Sequence, residues 1–191
     1  MSAVAPEAAR TRRGRRTLLL LIALFVGPIL VALVFGVLGM KPAISKNKGE
    51  RLQPYADLRA LTPQLADGGA YRWNPEQRLW RIAVVAPAGC ATACDKLAQD
   101  IDKVWQLFGK DADRAQVLWI GELPAAAPRS PAWKQVRPEP ALLEKLPRSR
   151  DAAGAPVTYA IDPYGFVVLR YAPGFDPGDL RSDMAKLLKL M

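Results

Sequence analysis

Cys90 and Cys94 are the only two cysteines in a chain of 191 residues. They close the stretch Val84-Val85-Ala86-Pro87-Ala88-Gly89-Cys90-Ala91-Thr92-Ala93-Cys94. Two sulfurs at that spacing can form a disulfide, exchange it with another thiol, or hold one soft metal ion. The plainer readings are a structural disulfide without turnover, or two small buried residues. The chain contains no histidine. That excludes a Ser-His-Asp or Cys-His nucleophile pair. It also excludes any zinc or copper site that requires imidazole. A general base would have to be a carboxylate, a lysine or a thiolate.

The elements around the pair place it at a strand-to-helix junction. Trp80-Arg81-Ile82-Ala83-Val84-Val85 reads as a strand. After it, Cys94, Leu97, Ala98, Ile101, Val104, Trp105 and Phe108 recur at helical spacing, and Gly109 supplies a C-cap. Cys90 then lies at or just before the helix N-terminus, with Cys94 one turn in. Unpaired backbone N–H groups and the helix dipole favour a thiolate there. Residues four apart share one helix face, so the sulfurs can meet. Asp95 is a first-turn residue that the dipole favours.

The N-terminal region says where the pair works. Residues 17–40 carry no charge and would span about 36 Å as a helix, enough to cross a bilayer. Pro28 is tolerated inside such a span. A cleaved signal would show a shorter apolar core and a small-residue exit, whereas this exit reads Gly39-Met40-Lys41-Pro42. Arg10, Arg12, Arg13, Arg15 and Arg16 precede the span, opposed only by Glu7. They keep the N-terminus cytoplasmic and send the rest of the chain to the far side. In a bacterium that is the inner membrane with a periplasmic domain, where disulfides persist. The net charge of +9 is thus explained by topology, not by nucleic-acid binding. The expected order is a basic tail (1–16), a transmembrane helix (17–40), a linker with Lys41, Lys46 and Lys48 (41–53), and one folded domain (54–191).

Within that domain, Tyr71-Arg72-Trp73 alternates as a strand would, and Asn74-Pro75-Glu76 turns the chain. Residues 115–120 read as a strand, 121–138 as a proline-rich loop and 140–146 as a short helix. Residues 157–161 and 166–171 form a hairpin about Asp162-Pro163-Tyr164-Gly165. Asp176 and Pro177 open a last helix that turns Leu180, Met184, Leu187, Leu188 and Met191 inward. Trp80, Trp105 and Trp119 are expected in the core, with Trp73 and Trp133 at the surface. Strand–helix–strand implies a parallel pair with a right-handed crossover. The fold class is α/β: a thioredoxin-like domain, with a central mixed sheet flanked by helices, tethered by one N-terminal transmembrane helix.

The stretch from Ala86 to Cys94 resembles the Cys-x-x-x-Cys motif of the Sco family, membrane-tethered thioredoxin-like proteins that help assemble the copper centre of cytochrome c oxidase. Gly154-Ala155-Pro156-Val157-Thr158-Tyr159-Ala160-Ile161-Asp162-Pro163-Tyr164-Gly165 is similar to the Gly-x-Pro-Thr-x-Phe-x-Ile-Asp-x-x-Gly stretch of membrane-anchored thiol reductases. The resemblance implies that Cys90 and Cys94 do thiol redox chemistry, or hold Cu(I) for delivery. It implies a cis Pro156 beside them. It implies a bilayer, and an oxidase subunit or another assembly factor, as partners. The chain departs from both patterns. The Sco copper-ligand histidine would fall near Asp151-Ala152-Ala153-Gly154 and is missing, and the cysteine spacing is one longer than Cys-x-x-Cys. A general periplasmic thiol-disulfide oxidoreductase, with Cys90 attacking and Cys94 resolving, remains an alternative. So does a non-catalytic tethered scaffold with a permanent disulfide.

Overall fold

The computed structural model describes residues 7–37, 47–149 and 154–190. It divides into two units, Met1–Ile44 and Ser45–Met191. The first holds one helix, α1 (Glu7–Val37), with Pro28 inside it. The helix begins within the expected basic tail and covers the expected span as far as Val37. Residues 38–46 lie outside the described residues. Side chains are described for 15–31, 33 and 34, and apolar ones such as Leu20 and Phe25 are exposed. Among the described residues no helix is long and apolar enough to cross a membrane.

The second unit is built on a mixed sheet of six strands. These are β1 (Glu50–Asp57), β2 (Trp80–Val85), β3 (Ala115–Ile120), β4 (Trp133–Val136), β5 (Val157–Ile161) and β6 (Phe166–Tyr171), in the order β1-β6-β5-β2-β3-β4. β2 pairs parallel with β3, and β3 with β4. β5 pairs antiparallel with β2 and β6, and β6 antiparallel with β1. Every residue of β2 and β5 is buried, and all but Arg81 and Thr158 are apolar or aromatic, as in strands covered on two faces. Helices α2 (Ala91–Gln106) and α4 (Pro177–Leu187) cover one face, and α3 (Pro140–Lys145) the other. Burying Ile101 alone, fully enclosed on α2, stabilises this packing by about 1.5–3 kcal/mol. Asp176 caps α4 as its sequence position predicts, accepting from Gly178 N–H at 2.8 Å, with Pro177 first in the helix. Leu180, Met184 and Leu188 are buried as expected; Met191 lies outside the described residues.

Three expectations are corrected. β1 takes in residues 50–53, which the composition assigned to a linker. Only Leu52 is buried in it, and the Gln53–Pro54 bond is cis, so neither alternation nor a long apolar run marks it. β4 lies in the predicted loop, and its Trp133 is buried, stacking on Trp119 at 5.9 Å instead of facing solvent. Tyr71-Arg72-Trp73 is not a strand. Tyr71 N–H donates to Pro63 C=O at 2.8 Å, and Trp73 Nε1–H to Leu61 C=O at 3.0 Å, so local loop bonds replace ladder bonds.

Candidate functional site

The two cysteines are joined as a disulfide, with Cα atoms 5.5 Å apart. The cause is local. β2 ends at Val85, the small residues Ala86 to Gly89 turn the chain, and Cys90 is the N-cap of α2. Cys90 C=O accepts from Ala93 N–H at 2.9 Å and from Cys94 N–H at 3.1 Å. One helical turn therefore stacks Cys94 beneath Cys90. The two sulfurs are not equivalent: Cys90 is half-buried, whereas Cys94 is 2% exposed and packs with the core of α2. An incoming nucleophile meets Cys90 first.

The pair lines an open cleft of about 280 Å³ with Pro87, Asp95, Glu122, Leu123 and Pro124. Glu122, Leu123 and Pro124 were not singled out from the sequence. They could have been, because loops after adjacent parallel strands leave the sheet at the same end. Several contacts hold this wall, among them Trp119 Nε1–H donating to Glu122 C=O at 2.8 Å. Ala126 N–H donates to the Asp95 carboxylate at 3.2 Å, which fastens α2 to the loop. Ala86 N–H donates to Ile120 C=O at 2.9 Å, extending the β2–β3 ladder past its last residue. Gly121 follows at φ +126°, and a Cβ there would meet the Ala86 carbonyl oxygen at 2.6 Å. Only glycine fits that approach.

Pro156 stands at the same end of the sheet, since the next residue, Val157, pairs with Val85. It lines a neighbouring groove with Ala93, Leu97 and Phe175, not the cleft that holds the sulfurs. The expected cis bond is not there: among the described residues the cis bond is Gln53–Pro54. Trans is the lower-energy isomer of an X–Pro bond by about 0.5–1 kcal/mol, and Pro156 runs directly into β5, where no reversal demands the cis form.

A family model described as a transmembrane-like, thioredoxin-like C-terminal domain matches residues 80–191. The chain belongs to this family. A companion model, described as a transmembrane-like N-terminal domain, matches residues 9–35. No curated protein matches the chain in sequence. Solved structures of the same fold include apo Sco1 from Thermus thermophilus, 16% identical over 77% of this chain and 99% of its own, with a TM-score of 0.53. BsSco, described as a member of the Sco family of cytochrome c oxidase assembly proteins with a disulfide switch, is 13% identical over 74% and 99%, TM-score 0.54. A SCO1/SenC family lipoprotein from Bacillus anthracis is 15% identical over 73% and 98%, TM-score 0.52. At these identities the likeness is one of fold. In this member of the transmembrane-like, thioredoxin-like family, the sequence-predicted strand, junction and helix are those that hold the disulfide.

The donor set bears on metal. Among the described residues no group of three or more His, Cys, Asp or Glu gathers where it could hold an ion. The reduced pair would offer two thiolates, which suit Cu(I). The cleft adds only the carboxylates of Asp95 and Glu122, hard donors that do not. Met184 is fully buried in the core and Met191 lies outside the described residues. Among the described residues, the soft donors this cleft offers Cu(I) are the two thiolates of the reduced pair.

Proposed function

We propose that the chain is a membrane-anchored thiol–disulfide exchange protein that assists cytochrome c oxidase assembly, with the Cys90–Cys94 disulfide as its working group. The observation that carries this reading is the asymmetry of that disulfide in its cleft: Cys90 is half-buried, whereas Cys94 is almost completely buried. A partner thiolate attacks Cys90 Sγ, the Cys90–Cys94 bond breaks, and Cys94 leaves as a thiolate that takes a proton from water. A second partner thiolate then attacks the mixed disulfide and releases Cys90. The partner is oxidised by two electrons and the pair is reduced; the same steps run in reverse. Pro156, at the same sheet end, shapes the adjoining surface.

Anchoring is supported by two observations. Residues 17–37 carry no charge, and their described apolar side chains lie exposed, an arrangement that lipid would cover. The matched N-terminal family model is itself described as transmembrane-like. The arginines before this stretch favour a cytoplasmic N-terminus and a periplasmic domain. The oxidase as partner rests on the fold shared with BsSco and its relatives.

The test is a Cys94→Ser variant of the full chain expressed in bacterial membranes. Loss of the resolving thiol traps partners on Cys90. A mixed disulfide with an oxidase subunit or another assembly factor, absent in Cys90→Ser, is the expected result. Trapping of many unrelated periplasmic proteins would instead indicate a general oxidoreductase. A disulfide that glutathione leaves oxidised, with nothing trapped, would reduce the pair to a staple. One-to-one Cu(I) binding by the reduced chain, lost in Cys90→Ser, would make the pair a copper carrier.

A further inference from the structure

The cleft around the disulfide carries charge of one sign. Of the residues that line it, Asp95 and Glu122 are the charged ones, and no lysine or arginine joins them. The chain as a whole has a net charge of +9, so this wall runs against the balance of the sequence. The neighbouring groove beside Pro156 is mixed, with both Lys96 and Asp100 in its lining.

Both carboxylates are held through the same loop. Asp95 follows Cys94 on α2 and is half-buried, and its carboxylate accepts from Ala126 N–H at 3.2 Å. Glu122 has an exposed side chain on a pinned backbone. Its carbonyl accepts from the indole N–H of the buried Trp119 at 2.8 Å. One residue earlier, Gly121 N–H donates to Val136 C=O at 3.0 Å, and Gly121 C=O accepts from the Gln135 side chain at 2.9 Å. Gly121 is also the position where a Cβ would collide with the Ala86 carbonyl. Glu122 therefore leaves the sheet at a fixed point beside the turn that carries Cys90.

Disulfide exchange makes this charge count. A partner sulfur reaches Cys90 as a thiolate, an anion. Negative charge in the cleft repels that anion and any acidic group attached to it, and attracts a cation carried beside it. Such complementarity chooses among partners and sets how fast they arrive, more than how tightly they bind.

We propose that Asp95 and Glu122 make the disulfide cleft selective for thiols that carry positive charge beside the reacting sulfur, such as a cysteine flanked by lysine or arginine. The inference rests on the exchange reading above and names the class of partner it takes. Asp95 and Glu122 set specificity; neither exchanges electrons with the partner.

The experiment uses the full-length chain in uncharged detergent micelles. The probes are cysteamine, a cationic thiol, 3-mercaptopropionate, an anionic one, and dithiothreitol, which is neutral. Each is in excess. For the two monothiols, one thiolate attacks Cys90 Sγ, and Cys94 leaves and takes a proton from water. A second thiolate then attacks the probe sulfur, releases Cys90 and departs as the probe disulfide. Maleimide labelling of Cys94 after an acid quench gives the rate. The quantity compared is the cysteamine-to-3-mercaptopropionate rate ratio, in each variant relative to wild type. Intrinsic thiol reactivity and any general change in the leaving sulfur cancel in that comparison. At low ionic strength the ratio is expected to fall about 2–3-fold in Asp95→Asn and in Glu122→Gln, and about 3–10-fold in the double variant. Raising salt to about 0.5 M is expected to shrink the difference between wild type and double variant. Glu76→Gln, an exposed carboxylate ahead of β2 at the opposite end of the sheet, is expected to keep the wild-type ratio. An unchanged ratio in the double variant would overturn the proposal, as would a difference indifferent to salt or an equal fall in Glu76→Gln. If dithiothreitol leaves the wild-type pair oxidised, the exchange reading fails and the selectivity with it. If dithiothreitol reduces the pair and the ratio ignores these charges, the exchange reading stands and the selectivity alone falls.

Discussion

At one end of the sheet the chain turns through Ala86-Pro87-Ala88-Gly89, and the cleft beside the sulfurs is fastened by bonds such as Ala126 N–H to Asp95 at 3.2 Å and Trp119 Nε1–H to Glu122 C=O at 2.8 Å. At the other end stands Arg81, completely buried. Its Nε–H donates to Tyr71 O–H at 2.9 Å, and one of its terminal nitrogens donates to the carbonyls of Pro163 and Asp162 at 2.9 and 3.2 Å. The guanidinium also lies 5.5 Å from the Trp73 ring centroid. Tyr71 O–H passes the chain of bonds to Gln116 at 2.6 Å, and the Asp162 carboxylate accepts from Gly165 and Phe166 N–H at 2.9 and 2.8 Å. At the distal end a buried polar network ties the Tyr71 loop and the 162–165 turn to β2 and β3. The disulfide end is small side chains around an open cleft. The bond proposed to open and close is lined by small side chains, while the buried Arg81 network lies at the opposite end of the sheet.

That contrast can be broken most forcibly at Arg81. Arg81→Ala takes the Arg81 donor from the Pro163 carbonyl, removes a packed side chain and removes the Arg81 bond to Tyr71 O–H. The expected loss is about 3 kcal/mol by urea unfolding, with the Cys90–Cys94 reduction potential unchanged. A shift in potential without a stability loss would invert the division of labour drawn here.

A smaller effect belongs to Tyr171. Burial, and after it the Asp183 carboxylate, pushes its phenol above the usual tyrosine range. A phenol that stays protonated in the fold adds stability below the unfolded-state value of about 10, and that stability is lost as pH rises beyond it. The alkaline limb of a pH–stability profile should therefore steepen above about pH 10 and be shallower in Tyr171→Phe. Tyr71 is also raised by burial, so part of the limb remains in that variant.

The smallest change is expected at Asp95. Asp95→Ala removes one half-buried hydrogen bond and should cost under about 1 kcal/mol. It also removes a negative charge beside the sulfurs, which favours the departing thiolate. Reduction by dithiothreitol should therefore become severalfold faster, as monitored by thiol labelling. A large stability loss with no kinetic change would make the disulfide end as rigid as the distal one.

The disulfide pair and the elements that hold it were more legible in the sequence than their surroundings. Helical spacing after Cys94, the strand before Cys90 and the Asp176-Pro177 cap each carry a local rule that the structure follows, except that α2 ends at Gln106 with Leu107, not Gly109, as its C-cap. β1 and β4 escaped because pairing with neighbours far along the chain holds them together: β1 buries Leu52 but little else, and β4 is only Trp133 to Val136. Arg81 and Asp183 escaped for a different reason. A lone charged residue reads as surface unless its partners are known, and theirs are backbone groups as many as 135 positions away. The trans Pro156 shows the limit of motif transfer, since the stretch matched while the isomer did not.

The single disulfide also bears on how the domain comes to be made. With two cysteines there is one possible intramolecular pairing, so no scrambled isomer exists to be proofread. The sulfurs lie four residues apart, and the turn that joins them is local, so they can meet as soon as that turn forms. Oxidative folding of this domain has one correct product and, within a single chain, no wrong one. A disulfide isomerase has nothing to correct. The only oxidative error open to the molecule is a link to another chain, the same kind of bond its proposed work requires it to form and then release.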